Sequence, residues 1–151
     1  MGDHGPSTST SIDIAASPER VWEVSSDVER WSEWTDTVTS VRRLDEGPLR
    51  SGSRASISQP RIPLTEYTVT ELAAGQSFTW VATGPGVQTT ARHSIERLSG
   101  ENRVRLAFEQ AGWLGSLMGR FYHDLTNRYL AKEAAGLKAR AEGQTESITP
   151  G

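Results

Sequence analysis

Val87–Gln110 reads VQTTARHSIERLSGENRVRLAFEQ, and this stretch decides the fold. Strand side chains alternate with a period of two. On that period Val87, Thr89, Ala91, His93 and Ile95 share one face, and Val104, Leu106, Phe108 and Gln110 share one face of the next segment. Ser99-Gly100-Glu101-Asn102 between them is a hairpin turn signal.

The same punctuation recurs upstream. Glu46-Gly47-Pro48 and Arg50-Ser51-Gly52, the bend flanked by Pro60 and Pro63, Ala74-Gly75, and Thr83-Gly84-Pro85-Gly86 each interrupt a run with strand character. Six successive strands are expected at about 37–44, 52–59, 63–72, 77–83, 87–98 and 102–110. Their connections are too short for parallel crossovers, so the meander is antiparallel. Further out, Thr8, Thr10, Ile12 and Ile14 alternate with polar residues as a first strand. Ser17-Pro18-Glu19-Arg20 starts a short helix, with Ser17 as N-cap and Pro18 in the first helical position. Asp27 is placed to cap a second short helix running through Trp31 and Trp34.

Beyond the strands, Leu114–Ala141 is helical in type and free of proline. Leu114, Leu117, Met118, Phe121, Leu125 and Tyr129 form one apolar stripe, expected to meet the sheet. Leu130, Ala134, Leu137 and Ala141 form another, for the short helices or a second copy of the chain. Gly119 and Gly136 are unfavourable inside a helix, and Gly119 is a candidate for a kink or a close approach.

The chain has 151 residues, a formal net charge of −3 and no cysteine. That length suits one domain. Disulfides, thiolate metal sites and cysteine nucleophiles are excluded, and the charge supplies no basic field for nucleic acid. No apolar run is long enough to span a membrane and the first ten residues lack the marks of a signal peptide, so a cytoplasmic protein is expected. Gly-, Ser-, Thr- and Pro-rich ends predict a mobile arm at 1–8 and a mobile tail at 143–151 around an ordered domain at 9–142.

Strand, two short helices, six strands and a long helix come in an order that carries particular residues. Trp31-Ser-Glu-Trp34 follows the first helices, and YLAKEAAGLK occupies 129–138. Gln59-Pro60, the Thr65–Glu71 run, Phe78-Thr-Trp80, Pro85-Gly86 and Ala91-Arg-His93 lie between. From about Ile12 to Lys138 the chain resembles the polyketide cyclase/dehydrase-like branch of the START-related superfamily, the SRPBCC or helix-grip proteins. The resemblance implies an α+β fold in which a curved seven-stranded antiparallel sheet wraps a long C-terminal helix and leaves a cavity. Members bind or transform lipids, steroids, polyketides and other hydrophobic molecules.

With a cavity implied, the strand phases nominate its wall. Ile57 and Gln59, Phe78 and Trp80, Thr89 and Ala91, and Phe108 and Gln110 are expected to face a ligand, with Met118, Phe121 and Leu125 closing the floor from the helix. His93 has two readings. A pocket imidazole with an ordinary pKa of about 6.5 is suited to general-base work; a core histidine bonded to a neighbouring strand or buried water gives the same sequence. Tyr67 is either a proton donor to a ligand oxygen or an amphipathic wall residue. Trp31 and Trp34 read as anchors for the short helices, and Arg61 as a mouth residue or a solvated loop arginine. His123 and Asp124, being adjacent, point to different sides of a helix and make no dyad. No metal-ligand spacing, nucleophile elbow or dinucleotide fingerprint occurs, so neither a metal nor a cofactor is expected.

Three functions follow as expectations. The first is binding of a small hydrophobic molecule. The second is a cyclase or dehydratase, a lyase or isomerase with His93 as base and Tyr67 as donor. The third is a dimeric interaction module.

Overall fold

The structure, a computed structural model, describes residues 4–147. Seven strands form one sheet: β1 (His4–Ile14), β2 (Ser40–Arg43), β3 (Arg54–Gln59), β4 (Ile62–Ala73), β5 (Ser77–Gly84), β6 (Val87–Leu98) and β7 (Glu101–Ala111). Their spatial order is β1-β7-β6-β5-β4-β3-β2, with every neighbouring pair antiparallel. The quoted hairpin forms as expected, with His93 opposite Leu106 and Ala91 opposite Phe108. On its other side β6 sets His93 opposite Phe78 and Ala91 opposite Trp80.

Between β1 and β2 lie α1 (Pro18–Ser26) and a 3-10 turn, Val28–Glu33. The Ser17 hydroxyl accepts from the Arg20 N–H at 3.1 Å and caps α1. Asp27 makes no such cap for the turn that follows; its carboxylate pairs with Arg30 at 3.4 Å. The Trp31 indole N–H donates to the Ser25 carbonyl, tying the 3-10 turn back onto α1.

The ends differ from their expected boundaries. β1 begins at His4, and Ser7 pairs with Glu109, so the strand expected from Thr8 starts four residues earlier, within the expected arm. A free sheet edge needs backbone donors and acceptors, not apolar side chains, which is why a Ser/Thr-rich segment is held there. The Thr8 hydroxyl also bonds Asn127. At the other end the helix continues to Ser147, so 143–147 are helical where a tail was expected. The remaining arm and tail positions, 1–3 and 148–151, lie outside the described residues.

The C-terminal helix is two helices, α2 (Trp113–Phe121) and α3 (His123–Ser147). The break falls at Tyr122, whose N–H still bonds the Met118 carbonyl. Gly112 and Gly86 fix where α2 starts. The Gly86 carbonyl accepts from the N–H groups of Leu114 and Gly115 at 2.8 and 3.1 Å. A Cβ at Gly112 would come within 2.6 Å of that carbonyl oxygen. Anchored on the β5–β6 turn, α2 reaches α3 only by bending. Its Trp113, Leu117 and Phe121 are consequently exposed, so the first apolar stripe does not meet the sheet as one face.

The second stripe is covered by its own chain. Leu130, Ala134, Leu137 and Ala141 pack with Ile14, Val21, Val24, Val104 and Leu106, leaving no apolar face of α3 there for another copy. A second cluster fills the opposite side of the sheet's concave face around Trp31, Val41, Ile57, Phe78 and Trp80. Gly136 lets α3 lie against the loop after the 3-10 turn, because a Cβ there would collide with the Trp34 carbonyl oxygen. No helix among the described residues is long and apolar enough to cross a membrane.

Candidate ligand cavity

Between the two clusters, under α2 and the first half of α3, the sheet lines a cavity of about 520 Å³ that opens to solvent past Leu64 and Tyr122. Strand alternation delivers its wall. Ile57 and Gln59 from β3, Tyr67 from β4, Trp80 from β5, Thr89, Ala91 and His93 from β6, and Phe108 and Gln110 from β7 all line it. Met118 and Leu125 close it from the helices. Arg61 stands at the β3–β4 turn, with the left-handed φ of 67° that lets the chain reverse there. The Tyr129 hydroxyl donates to the Pro60 carbonyl at 2.6 Å and clamps that turn to α3.

Two expected wall residues lie elsewhere. Phe78 is on the right face but 0% exposed, because Trp22 of α1 covers it edge-on at 6.1 Å. Phe121 is 84% exposed, turned outward by the bend at Tyr122, and Tyr122 lines the cavity in its place. Trp31, read as an anchor, is both anchor and wall: it is buried, and its ring sits 5.4 Å from that of Trp80.

His93 is stacked on Phe78 at 4.7 Å with 10° between planes, and Trp31 flanks it at 5.1 Å. Its Nδ1 is buried without a hydrogen-bond partner among the described residues. Burial draws its pKa down to about 4, so the ring is neutral at physiological pH and a weaker base than an exposed histidine. Tyr67 packs on Trp80 at 5.1 Å; burial, and then the nearby Glu133 carboxyl, push its pKa up, so its hydroxyl stays protonated.

Glu133 of α3 also faces the cavity, and sequence reasoning did not single it out. Burial pushes its carboxyl up to about 7, against the opposing effect of the Thr37 hydroxyl, which donates to Oε2 at 3.1 Å. Thr37 is held in turn: its hydroxyl lies 3.0 Å from that of Thr35, and the Gln59 amide donates to its carbonyl at 3.1 Å. The signal was present in the spacing. Leu125, Tyr129 and Glu133 follow one another at four-residue intervals, so a carboxyl lies on the line set by two cavity residues. The apolar positions of α3 alone do not disclose it, because a carboxyl on a helix face ordinarily points to solvent. His123 and Asp124 are exposed, with the His123 ring bonded to Asn127. No group of three or more His, Asp or Glu side chains among the described residues is placed to hold a metal ion.

A curved antiparallel sheet gripping a C-terminal helix over an apolar cavity is the helix-grip arrangement of START-like proteins. The family model described as polyketide cyclase / dehydrase and lipid transport matches residues 6–142, and the chain belongs to that family. No curated protein is a significant match. Among solved structures, the chain is similar to the Zhui aromatase/cyclase of a Streptomyces species, at 14% identity and a TM-score of 0.78 over 97% of this chain and 99% of that one. A START superfamily protein from Mycobacterium smegmatis shares 18% identity with a TM-score of 0.74 over 93% and 99% of the two chains. A hypothetical protein of Helicobacter pylori gives 14% and 0.80 over 93% and 90%. At these identities the likeness is one of fold.

Proposed function

We propose that the chain binds a small, largely apolar molecule inside the cavity and holds its polar end with a few placed side chains. The observation that carries this reading is the wall: aromatic and aliphatic side chains from five strands and two helices, interrupted by Gln59, Tyr67, Thr89, His93, Gln110 and Glu133. A space of about 520 Å³ is in the usual range for small-molecule sites, which pair apolar lining with few polar groups. Family membership supports the same class of ligand. Melting the protein against a panel of neutral lipids, steroids and aromatic polyketides tests it. A ligand at a hundred times its Kd stabilises by about 2.7 kcal/mol, a rise of roughly 5–11 °C for a chain of this size. A panel that leaves Tm unmoved would end the proposal.

A second reading, a cyclase or dehydratase, is favoured by the Glu133 carboxyl at about 7, where a general base works best near neutral pH. Glu133 suits that role better than His93, whose pKa of about 4 leaves it little basicity. In that reaction Glu133 takes a proton α to one ketone of a polyketone that bears a hydroxyl β to it, the Tyr67 O–H bonds the enolate oxygen, and the enolate collapses to a carbon–carbon double bond as the β C–O bond breaks. The proton then passes to a departing hydroxide, releasing water. Glu133→Gln would abolish turnover of a polyketone while leaving its binding intact; turnover that persists in this variant excludes the role.

A further inference from the structure

We infer that the cavity selects a cationic amine carried on an apolar body, with the Glu133 carboxylate as its counter-ion and the Trp31, Trp80 and Tyr67 rings as its wall. The inference rests on the binding proposal and narrows it to a ligand class.

The first observation is a carboxyl with no cation. Glu133 is half-buried against the cavity, yet its one hydrogen-bond partner among the described residues is the neutral Thr37 hydroxyl. Of the basic residues nearest in sequence, Lys132 pairs with Asp36 and Lys138 with Glu142, and Arg128 is exposed. Removing a carboxylate from water is costly unless a cation accompanies it, and among the described residues no basic side chain is paired with Glu133. The second is the wall. Trp31 and Trp80 lie 5.4 Å apart and Tyr67 and Trp80 5.1 Å apart, all lining the same space. Aromatic faces attract ammonium groups, most strongly where water is excluded. A ligand hydroxyl or carbonyl gains from neither feature to the same degree. The third is the unpartnered, buried Nδ1 of His93, which leaves a hydrogen-bonding position for a ligand on the β6 side. With its ring neutral, His93 brings no competing positive charge.

The other charged or titratable groups lining the cavity are Glu66 and Tyr67 from β4, Arg92 and His93 from β6, Arg61 from the β3–β4 turn, Tyr122 from the break between the helices and Tyr129 from α3 itself. Glu66 pairs with Arg54 and Arg92 with Glu71. With the carboxyl at about 7 in the empty cavity, Glu133 is charged above that pH and neutral below it. An alkylamine keeps its charge across this range. Amine affinity is therefore full at pH 8 and falls as the pH drops through 7.

The test compares naphthylethylamine with naphthylethanol, matched in shape, by displacement of a neutral fluorescent naphthalene probe. The expected result is an amine preference of about tenfold or more at pH 8. Amine affinity should fall by roughly two orders of magnitude on going to pH 5, and alcohol affinity should change little. Glu133→Gln should erase both the preference for amine over alcohol and its pH dependence. The pH series on the unaltered protein stands alone should that variant fold poorly. Equal binding of amine and alcohol at pH 8, or a preference that survives Glu133→Gln, overturns the amine assignment and leaves apolar binding intact. If the neutral probe and the alcohol both fail to bind, the cavity proposal falls as well.

Discussion

His93 and Glu133 sit in one cavity and are moved by the same cause in opposite directions. Burial disfavours the charged form of each, lowering the imidazole from 6.5 to about 4 and raising the carboxyl from 4.5 to about 7. Their effects on stability therefore oppose each other. Between about pH 4 and 6.5 the unfolded chain protonates its histidine and the folded one does not, so the His93 contribution is lost as pH falls. Between about 4.5 and 7 the folded state holds a proton on Glu133 that the unfolded chain has released, so that contribution is lost as pH rises. Each is worth on the order of 2–3 kcal/mol, and over the shared window they largely cancel. Single variants should uncover the hidden slopes. Glu133→Gln should become more stable relative to wild type as pH rises from 4.5 to 7, and His93→Phe more stable relative to wild type as pH falls from 6.5 to 4. Urea unfolding at stepped pH measures both. Taking differences from wild type removes the surface carboxylates Asp13, Asp45 and Glu142, which Arg103, Arg43 and Lys138 hold below their ordinary values. Parallel profiles for wild type and both variants would show that neither group is shielded from water in the way described.

At the scale of elements, α3 is seated by a glycine. Alanine is the better helix former by about 1 kcal/mol, so Gly136→Ala would stabilise an exposed helix. Here the added methyl meets the Trp34 carbonyl oxygen and lies 3.0 Å from its ring, and backbone cannot swing aside as a flexible side chain can. Crowding of this kind costs about 1–3 kcal/mol, so Gly136→Ala should lower Tm. Gly143→Ala, in the same helix with nothing within 4 Å, should leave Tm unchanged or raise it. A rise in both would mean that α3 does not rest on Trp34. This contact also marks what the sequence could and could not disclose. Period-two alternation was enough to phase β5, β6 and β7, since each strand's inward face is fixed by its own residues. Trp80, Ala91, His93 and Phe108 line the cavity from the faces that this alternation assigns them. Whatever depended on a partner element stayed hidden. Phe78 has the right phase but lies beneath Trp22, and Phe121 has the right helical spacing but ends α2, just before the break at Tyr122, with its ring exposed. Glu133 became significant only when Thr37 and Tyr67, distant in the chain, were brought to it.

Across the whole molecule the packing is divided. One core joins α1, β1, β7 and the second half of α3; the other joins the 3-10 turn with β2 to β5; Trp34 touches both, and the cavity occupies the gap. Side chains here are large enough to fill a core, so the space is left by their placement: β6 presents Thr89, Ala91 and His93 where longer apolar groups would reach α3. Ala91 is the informative position, flanked across the ladder by Trp80 and Phe108. In a close-packed interior, Ala91→Phe would force neighbours off their rotamers and cost about 1–3 kcal/mol. In a cavity the new ring finds room and adds buried apolar area, worth up to about 1.5–3 kcal/mol against water. The variant should therefore melt at or above the wild-type temperature and lose the ligand-induced rise in Tm. Stability gained at the expense of binding is the trade expected where a fold keeps space open for function. A fall in Tm with the ligand response preserved would place the binding space away from β6, and with it the roles assigned to His93 and Glu133.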